Sequence, residues 1–142
     1  MNYIKLRKNT LWVENISALS LARKYKTPFY CYSLSQLKSN FYSFRNTFRE
    51  TKPLICFSVK SNSNISLLKE LKKMGSGADV VSAGELLKAA KAGIESKKIV
   101  FSGVGKTEEE IRMAIKKRVL LINVESESEV NLVNKISKKL SK

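Results

Sequence analysis

Histidine does not occur in this sequence of 142 residues. Its absence excludes a serine–histidine or cysteine–histidine catalytic pair within the chain, and any metal site that depends on histidine ligands. Cysteine is nearly as scarce, since Cys31 and Cys56 are the only two. Two thiols are a weak basis for a zinc site, so we predict no metal. Both lie in apolar runs, and we expect them to be reduced, buried thiols of a cytoplasmic protein.

Long apolar runs are also missing from the sequence. None approaches the roughly eighteen consecutive apolar residues of a membrane-spanning helix. Residues 1–8 include basic side chains but neither the apolar core nor the cleavage site of a signal peptide. We therefore predict neither a membrane span nor a leader. The composition, 43% hydrophobic and 27% charged, is typical of a folded domain, and the length suits one domain of ordinary size.

Acidic residues are few: 12, against 27 basic residues, give a formal net charge of +15. Such an excess is compatible with a nucleic-acid partner, which would bind in a strongly salt-dependent way. The lysines, however, are spread over every predicted helix, and several fall in last turns, where cations complement the helix dipole. No aromatic residues are interleaved with them as a base-stacking platform. The pattern favours solvated helix faces, and we predict no nucleic-acid partner.

From residue 54 onward the sequence repeats one unit, which consists of a short apolar run, a turn and an amphipathic stretch. The apolar runs are residues 54–59, 78–81, 99–101 and 120–124. Strands that alternate with helices at this spacing predict a parallel sheet and the α/β fold class. The arrangement fits an open sheet or the first half of a (βα)8 barrel. Half a barrel leaves two unpaired edges, so we expect a fragment that folds poorly or aggregates when isolated.

The predicted helices carry their own start signals. Four pairs have the spacing of a capping box, in which two side chains satisfy the free N–H groups of the first turn. They are Ser33–Gln36, Ser82–Glu85, Thr107–Glu110 and Ser126–Glu129. Upstream of the first predicted strand, the pattern indicates a short helix over residues 16–25, a strand over residues 29–32 and a longer helix over residues 34–48. Residues 1–33 precede the regular alternation and are expected to belong to another layer or domain.

Lys60 is the leading candidate for chemistry, because it follows the apolar run of residues 54–59 directly. A lysine where a buried strand meets a loop costs desolvation unless its amine is used. One use is a Schiff base, for which a lysine amine is a suitable nucleophile. The alternative is a lysine whose ammonium group reaches water past the strand end.

Two further features lie at predicted strand ends. Asp79, inside an apolar run, needs a partner, which is either a cation or protonated ring nitrogen, or nearby backbone amides. Residues 102–107 resemble the end of a phosphate-binding loop. However, Val100 stands where that pattern needs glycine, and Glu108 stands where the dinucleotide pattern needs it. We interpret this segment as a turn from strand to helix with Thr107 as the N-cap.

Several motifs, in order along the chain, resemble those of the group IV pyridoxal-phosphate decarboxylases, which share a fold with alanine racemase. The motifs are residues 57–62, 75–86, 91–94, 99–107 and 123–126. The block Ser-Gly-Ala-Asp-Val-Val-Ser and the turn Gly-Lys-Thr look most like the diaminopimelate decarboxylases within that group. Phe57 and Ser61 depart from the family pattern, where tyrosine and alanine are common.

The resemblance implies a TIM-type (βα)8 barrel with parallel strands, truncated after about four βα units. Residues 34–142 would form its N-terminal half, and residues 1–33 would pack with a β-domain that this sequence does not contain. Lys60 would hold pyridoxal 5'-phosphate covalently. Asp79 would be an active-site carboxylate near the cofactor, and Glu85 would be a second cofactor-binding carboxylate at a helix start. The family's ring-stacking histidine, phosphate loop and ring-nitrogen glutamate are not among these residues.

The implied activity is decarboxylation of meso-diaminopimelate to lysine, the last step of lysine biosynthesis, by a cytoplasmic homodimer. The small-molecule partner is therefore an amino acid, and the fragment alone is expected to be inactive. Two alternatives stay open. One is another decarboxylase of the group, acting on ornithine, arginine or carboxynorspermidine. The other is a non-catalytic pyridoxal-phosphate-binding barrel protein, a class that lacks the β-domain.

Overall fold

The computed structural model describes residues 3–141, so the parts of the predictions that concern residues 1, 2 and 142 lie outside the described residues. The chain divides into two compact units, Met1–Pro53 and Leu54–Lys142. The predicted domain division between residues 33 and 34 stays a prediction. The described part of the chain contains no helix with the length and apolar character needed to cross a membrane.

The first unit is a three-stranded antiparallel sheet followed by two helices. Its elements are β1 (Ile4–Arg7), β2 (Thr10–Val13), β3 (Ile16–Ser17), α1 (Ala18–Tyr25) and α2 (Leu34–Thr47). The short helix and the longer helix were predicted, whereas the sheet was not. Lys8 and Asn9 form the tight turn between β1 and β2, and both have positive φ angles, 45° and 55°. A two-residue turn with this backbone matches the twist of a hairpin.

The predicted strand over residues 29–32 is wrong. This segment forms no strand among the described residues, and its aromatic side chains lie open to solvent, with Tyr30 90% exposed. The rings of Tyr30 and Tyr32 stack with centroids 6.4 Å apart. Without a neighbouring strand to pair its backbone, the segment buries neither face. Cys31 is accordingly an exposed free thiol and not the buried one that was expected.

Glu14 joins the hairpin of the first unit to the start of α2. Its Oε1 accepts hydrogen bonds from Ser33 Oγ at 2.7 Å and from the Ser35 N–H at 2.8 Å. The Ser35 amide, followed by the Ser33 hydroxyl, lowers the pKa of Glu14 below its ordinary value. Ser33 also accepts from the Gln36 N–H at 3.0 Å, so one serine both caps the helix and holds the carboxylate.

The second unit is the predicted alternation of parallel strands and helices. Its strands are β4 (Cys56–Ser58), β5 (Gly77–Val80), β6 (Ile99–Phe101) and β7 (Leu121–Ile122), in that order across the sheet. Its helices are α3 (Ile65–Lys73), α4 (Ala83–Lys91), α5 (Glu108–Lys117) and α6 (Glu127–Lys139). All three strand pairings are parallel, and each crossover contains one α-helix. The first strand was predicted over residues 54–59 but is shorter: it begins at Cys56, and it ends at Ser58 because Val59–Ser61 form a 3₁₀ turn.

The two faces of this sheet differ in burial. Ala78, Val80, Ile99 and Phe101 are fully buried, whereas the alternate residues Asp79 and Val100 are half-buried. The helices contribute further fully buried aliphatic side chains, among them Leu68, Leu86, Ala89, Ile111 and Ala114. Because side chains of a strand alternate between faces, the core lies against one face only, and Asp79 belongs to the opposite face.

Of the four predicted capping boxes, only Thr107–Glu110 is complete. In the other three, the serine hydroxyl accepts the predicted N–H, but the second side chain bonds elsewhere. Gln36 bonds Asn40, Glu85 bonds the Val81 N–H, and Glu129 bonds the Glu125 N–H. In the two glutamate cases the carboxylate reaches the residue before the N-cap, so it fixes the end of the preceding strand or loop.

The free edge of the sheet at β7 is apolar. Leu120, Leu121 and Val124 are between 42% and 53% exposed. An unpaired strand edge with exposed aliphatic side chains is a template for pairing with another chain. We therefore expect the isolated polypeptide of residues 1–142 to self-associate as its concentration rises, which analytical ultracentrifugation would measure. A monomer that unfolds cooperatively with several kcal/mol of stability would contradict this expectation.

Gly77 in β5 leaves no room for a side chain. A Cβ atom there would overlap the carbonyl oxygen of Lys98 and lie 2.8 Å from Cys56 Sγ. Because the Lys98 oxygen belongs to the backbone beside β5, it cannot rotate away as a side chain would. We expect Gly77→Ala to lower the free energy of unfolding by about 3 kcal/mol or more.

Gly84→Ala in α4 is the matched control, because its nearest neighbour would be Ser82 Oγ at 3.8 Å, an ordinary contact. Alanine favours a helix, so this variant should gain up to about 1 kcal/mol. Urea denaturation of both variants would test the comparison. Equal free energies of unfolding for Gly77→Ala and Gly84→Ala would contradict the prediction, because they would show that the backbone around Gly77 can move to admit a Cβ atom without loss of stability.

Candidate functional site

Lys60 lies immediately beyond the carboxyl end of β4, in the 3₁₀ turn Val59–Ser61. Val59 is fully buried and anchors the turn, whereas Lys60 is exposed. Ser61 Oγ donates to the Ser58 carbonyl oxygen at 2.7 Å, and the Asn62 N–H donates to the Val59 carbonyl oxygen at 3.1 Å. The turn is therefore held on both sides of the lysine.

Among the described residues, none forms a hydrogen bond or an ion pair with the Lys60 side chain. This exposure agrees with the alternative in which the ammonium group reaches water. It also leaves the amine accessible to a ligand at this end of the sheet. In a parallel βα sheet, the carboxyl ends of the strands are the edge at which ligands bind.

Asp79 lies on the neighbouring strand, and the parallel register pairs it with Ser58. Its Oδ2 accepts a hydrogen bond from Ser58 Oγ at 3.1 Å, and its Oδ1 accepts one from Ser102 Oγ at 2.5 Å. Asn123 Nδ2 in turn donates to Ser102 Oγ at 3.0 Å. We call these four residues, one from each strand or the loop after it, the strand-end polar chain.

Within the chain, the partners of Asp79 are hydroxyl groups and not backbone amides or a cationic side chain. A protonated ring nitrogen of the cofactor as a further partner stays a prediction. Ser58, Ser102 and Asn123 were not among the residues predicted for the site. A usable signal was their position, since each is at the end of its strand or just beyond it. Cys56 lies on the same face of the sheet as Asp79. The pKa of its thiol is raised, mainly by burial and to a smaller extent by the negative charge of Asp79.

Glu85 lies in the first turn of α4 and forms no described hydrogen bond with the other two predicted site residues. Its Oε2 accepts the Val81 N–H at 2.9 Å, and its own N–H donates to Ser82 Oγ at 3.3 Å. No described hydrogen bond links Glu85 with Lys60 or Asp79. The carboxylate instead fixes the loop that follows β5, two residues beyond Asp79.

The turn after β6 packs tightly on that same loop. Gly103 has a φ angle of 99°, and a Cβ atom there would lie 3.0 Å from the Val81 carbonyl oxygen. Glycine is therefore required both by the backbone angle and by the close approach. Thr107 caps α5 through a complete capping box with Glu110, as the turn interpretation predicted. Glu110 also accepts the Ala83 N–H at 3.0 Å, which ties the start of α5 to that of α4.

Lys106 is buried within this turn. Its Nζ donates to the Gly103 carbonyl oxygen at 2.7 Å and to Glu129 Oε1 at 3.1 Å, and its side chain is 1% exposed. Burial opposes ionisation of Glu129, but the Glu125 amide and Lys106 outweigh it and lower the pKa of that carboxyl. Lys106 is thus occupied by structural contacts, in contrast to Lys60.

The Lys60 amine and the Asp79 carboxylate fit the requirements of part of a pyridoxal cofactor. An aldehyde needs an accessible primary amine, and Lys60 offers one at the strand ends. A cationic ring needs a nearby anion, and the Asp79 carboxylate is fixed on the neighbouring strand. Metal binding has no such support, since the described residues contain no group of three or more potential ligands among cysteine, aspartate and glutamate.

The sequence model of the pyridoxal-binding domain of pyridoxal-dependent decarboxylases matches residues 34–142. The chain belongs to this family. Family membership confirms the resemblance seen in the motifs. It also confirms the predicted pyridoxal cofactor, since the matched residues are a pyridoxal-binding domain. The residue assignments within this decarboxylase-family chain are not tested by the match and stay predictions.

Curated relatives of the chain include diaminopimelate decarboxylases. The chain is 44% identical to a diaminopimelate decarboxylase of Aquifex aeolicus over 140 residues, which are 99% of this chain and 33% of that protein. It is 48% identical to one from Helicobacter pylori (strain J99 / ATCC 700824) over 120 residues, 84% of this chain and 30% of the relative. The decarboxylase-family chain therefore spans about a third of the length of the curated relatives it matches.

Solved structures confirm the fold class. A diaminopimelate decarboxylase from M. jannaschii in complex with L-lysine superposes with a TM-score of 0.95 at 35% identity, covering 99% of this chain and 34% of that one. An A. aeolicus protein superposes with a TM-score of 0.94 at 44% identity, covering 99% and 35%. The parallel α/β unit of this decarboxylase-family chain is thus the N-terminal portion of a TIM-barrel decarboxylase fold.

Proposed function

We propose that this chain supplies the cofactor-binding lysine of a diaminopimelate decarboxylase, which converts meso-diaminopimelate to lysine. The observation that carries the proposal is the accessible Lys60 amine, held by an ordered turn at the carboxyl end of β4. The reaction class is supported by family membership. The substrate is supported by relatives of that name that are 40–48% identical. A diaminopimelate decarboxylase from H. pylori, 44% identical to this chain, has been solved in complex with L-lysine.

Three side chains have roles in this proposal. Lys60 Nζ would hold pyridoxal phosphate covalently; once released from it, the neutral amine would accept a proton and the resulting ammonium group would return it. Asp79 offers its carboxylate to the cofactor from β5, and Glu85 supports the same site through its bond to the Val81 amide. When bound, pyridoxal phosphate supplies an electron sink for the electron pair left behind when carbon dioxide departs. The exposed strand ends give the amino-acid substrate access to these groups.

The proposal extends to the whole protein as a cytoplasmic homodimer. It rests on the family resemblance and has its own test, which is sedimentation of the protein expressed from its complete gene. A mass of two chains would support it. If the protein is a fully active monomer, the proposal of a dimer is wrong, and the proposal for the reaction is unaffected.

The deciding experiment is a comparison of substrates. The protein expressed from its complete gene would be loaded with pyridoxal phosphate and offered meso-diaminopimelate, ornithine, arginine or carboxynorspermidine. We expect carbon dioxide and lysine from meso-diaminopimelate, with kcat/KM at least about a hundredfold above the others. Preference for another of these amines would identify a different decarboxylase of the group. Cofactor binding without release of carbon dioxide from any of them would indicate a non-catalytic binding protein.

A further inference from the structure

The strand-end polar chain links all four parallel strands through side chains alone. Ser58 and Ser102 bond the two oxygens of Asp79 at 3.1 and 2.5 Å, and Asn123 bonds Ser102 at 3.0 Å. The bonded residues are at least 21 positions apart in sequence. Only the register of the sheet brings these residues together, so the strand-end polar chain forms only when every strand pairs correctly.

The chemistry of the groups fixes the direction of each bond. An amide nitrogen donates only, and an ionised carboxylate accepts only. Ser102 has a single hydroxyl proton, which it gives to Asp79 Oδ1, and a lone pair of the same oxygen accepts from Asn123 Nδ2. Ser58 gives its proton to Oδ2. Each oxygen of Asp79 therefore has one hydroxyl donor, one from the strand before it and one from the loop after the following strand.

The donor at Oδ1 is itself held rigidly. The Ser102 N–H bonds the Val80 carbonyl oxygen at 2.8 Å, and Gly103 is packed against Val81 with no room for a side chain. Asn123 is held in the same way, because its N–H bonds the Phe101 carbonyl oxygen at 2.9 Å. The short bond from Ser102 thus comes from a fixed backbone, as positioning of a half-buried carboxylate requires.

From this geometry we infer that Ser102, supported by Asn123, is a positioning residue that sets the orientation of the Asp79 carboxylate toward the cofactor. The inference rests on the proposed function, in which Asp79 serves the cofactor. Ser102 touches neither cofactor nor substrate in this account and acts through Asp79. Small displacements of a catalytic group reduce turnover more than they reduce substrate binding, because alignment matters most in the transition state.

The test compares Ser102→Ala with Ser102→Thr, which keeps the hydroxyl, in the protein expressed from its complete gene. Ser66→Ala is the matched control, since Ser66 is an exposed serine of α3 outside the polar chain. The readouts are the visible circular-dichroism band of bound pyridoxal phosphate without substrate, then kcat and KM, and finally urea denaturation. We expect Ser102→Ala to change the band and to lower kcat about ten- to a hundredfold, with KM within about twofold.

Ser102→Thr should recover the band and most of kcat, and Asn123→Ala should shift both readouts in the same direction as Ser102→Ala but less. If Ser102→Ala fails to fold, Asn123→Ala still removes the support while it keeps the Ser102 hydroxyl. If both Ser102→Ala and Asn123→Ala keep the wild-type band and kcat, the inference is overturned while the proposed function stands. If Ser102→Ala does not fold, a wild-type band and kcat in Asn123→Ala have the same consequence. Absence of a cofactor band from the wild-type protein would reject the proposed function and the inference with it.

Discussion

Lys60→Ala should remove both the covalently held cofactor and the decarboxylase activity of the protein expressed from its complete gene. The visible absorbance of bound pyridoxal phosphate should disappear, and kcat should fall by at least about a thousandfold, as for other residues that form a covalent bond in catalysis. The reason is chemical, because alanine has no amine to attack the aldehyde. Lys60→Arg should fail as well, since its guanidinium group stays protonated and cannot act as a free amine.

Lys69→Ala is the control for this experiment. Lys69 is another exposed lysine of the same unit, located within α3. Its removal changes the net charge by the same amount and should leave absorbance and kcat within about twofold of wild type, as expected for an exposed site remote from the strand ends. Full activity of Lys60→Ala would contradict the assignment of the site and much of the functional proposal.

Lys106→Met should destabilise the protein by about 3 kcal/mol, the lower end of the range for breaking a buried ion pair. The variant keeps an unbranched side chain only one atom shorter but leaves Glu129, 9% exposed, without its cation. The Gly103 carbonyl oxygen loses its donor at the same time. Urea denaturation would measure the loss. Lys116→Met is the control, since Lys116 is in the last turn of α5 and forms no described ion pair.

The Lys106 prediction has a defined dependence on pH. The pKa of Glu129 is lowered in the folded state, so its ionised form contributes stability above the ordinary value of 4.5. That contribution is lost as the pH falls through the lowered pKa, because the protonated carboxyl no longer pairs with Lys106. The stability gap between wild type and Lys106→Met should therefore narrow below about pH 4.5. A constant gap, or one that widens in acid, would show that the pair contributes little.

Local signals explain why much of the second unit could be predicted. The strand of residues 99–101 was predicted with its observed bounds, and each helix start coincides with a serine, threonine or asparagine cap. Caps and apolar stripes are properties of neighbouring residues and are legible in sequence. The β1–β2 hairpin was missed because its turn residues, Lys8 and Asn9, are not a usual glycine-containing turn pair. Residues 29–32 were misassigned because an apolar run does not reveal whether a partner strand exists.

The candidate site shows where such reasoning stops. Lys60 and Asp79 could be proposed from the sequence because each is a charged residue within or beside an apolar run. The hydroxyl partners of Asp79 could not, because Ser58 and Ser102 are 21 and 23 positions away and ordinary in local context. The same holds for Lys106 and Glu129, whose separation is also 23 positions. Contacts of this kind are created by strand register, which a single sequence does not display.

The most direct test of the account is chemical trapping of the cofactor on its lysine. The protein expressed from its complete gene would be incubated with pyridoxal phosphate and treated with borohydride, which converts a carbon–nitrogen double bond to a stable amine. Peptide mass mapping would then locate the label. The account predicts a single label on Lys60 and none on Lys69 or Lys106. A label on either of those two lysines, with Lys60 unmodified, would contradict it.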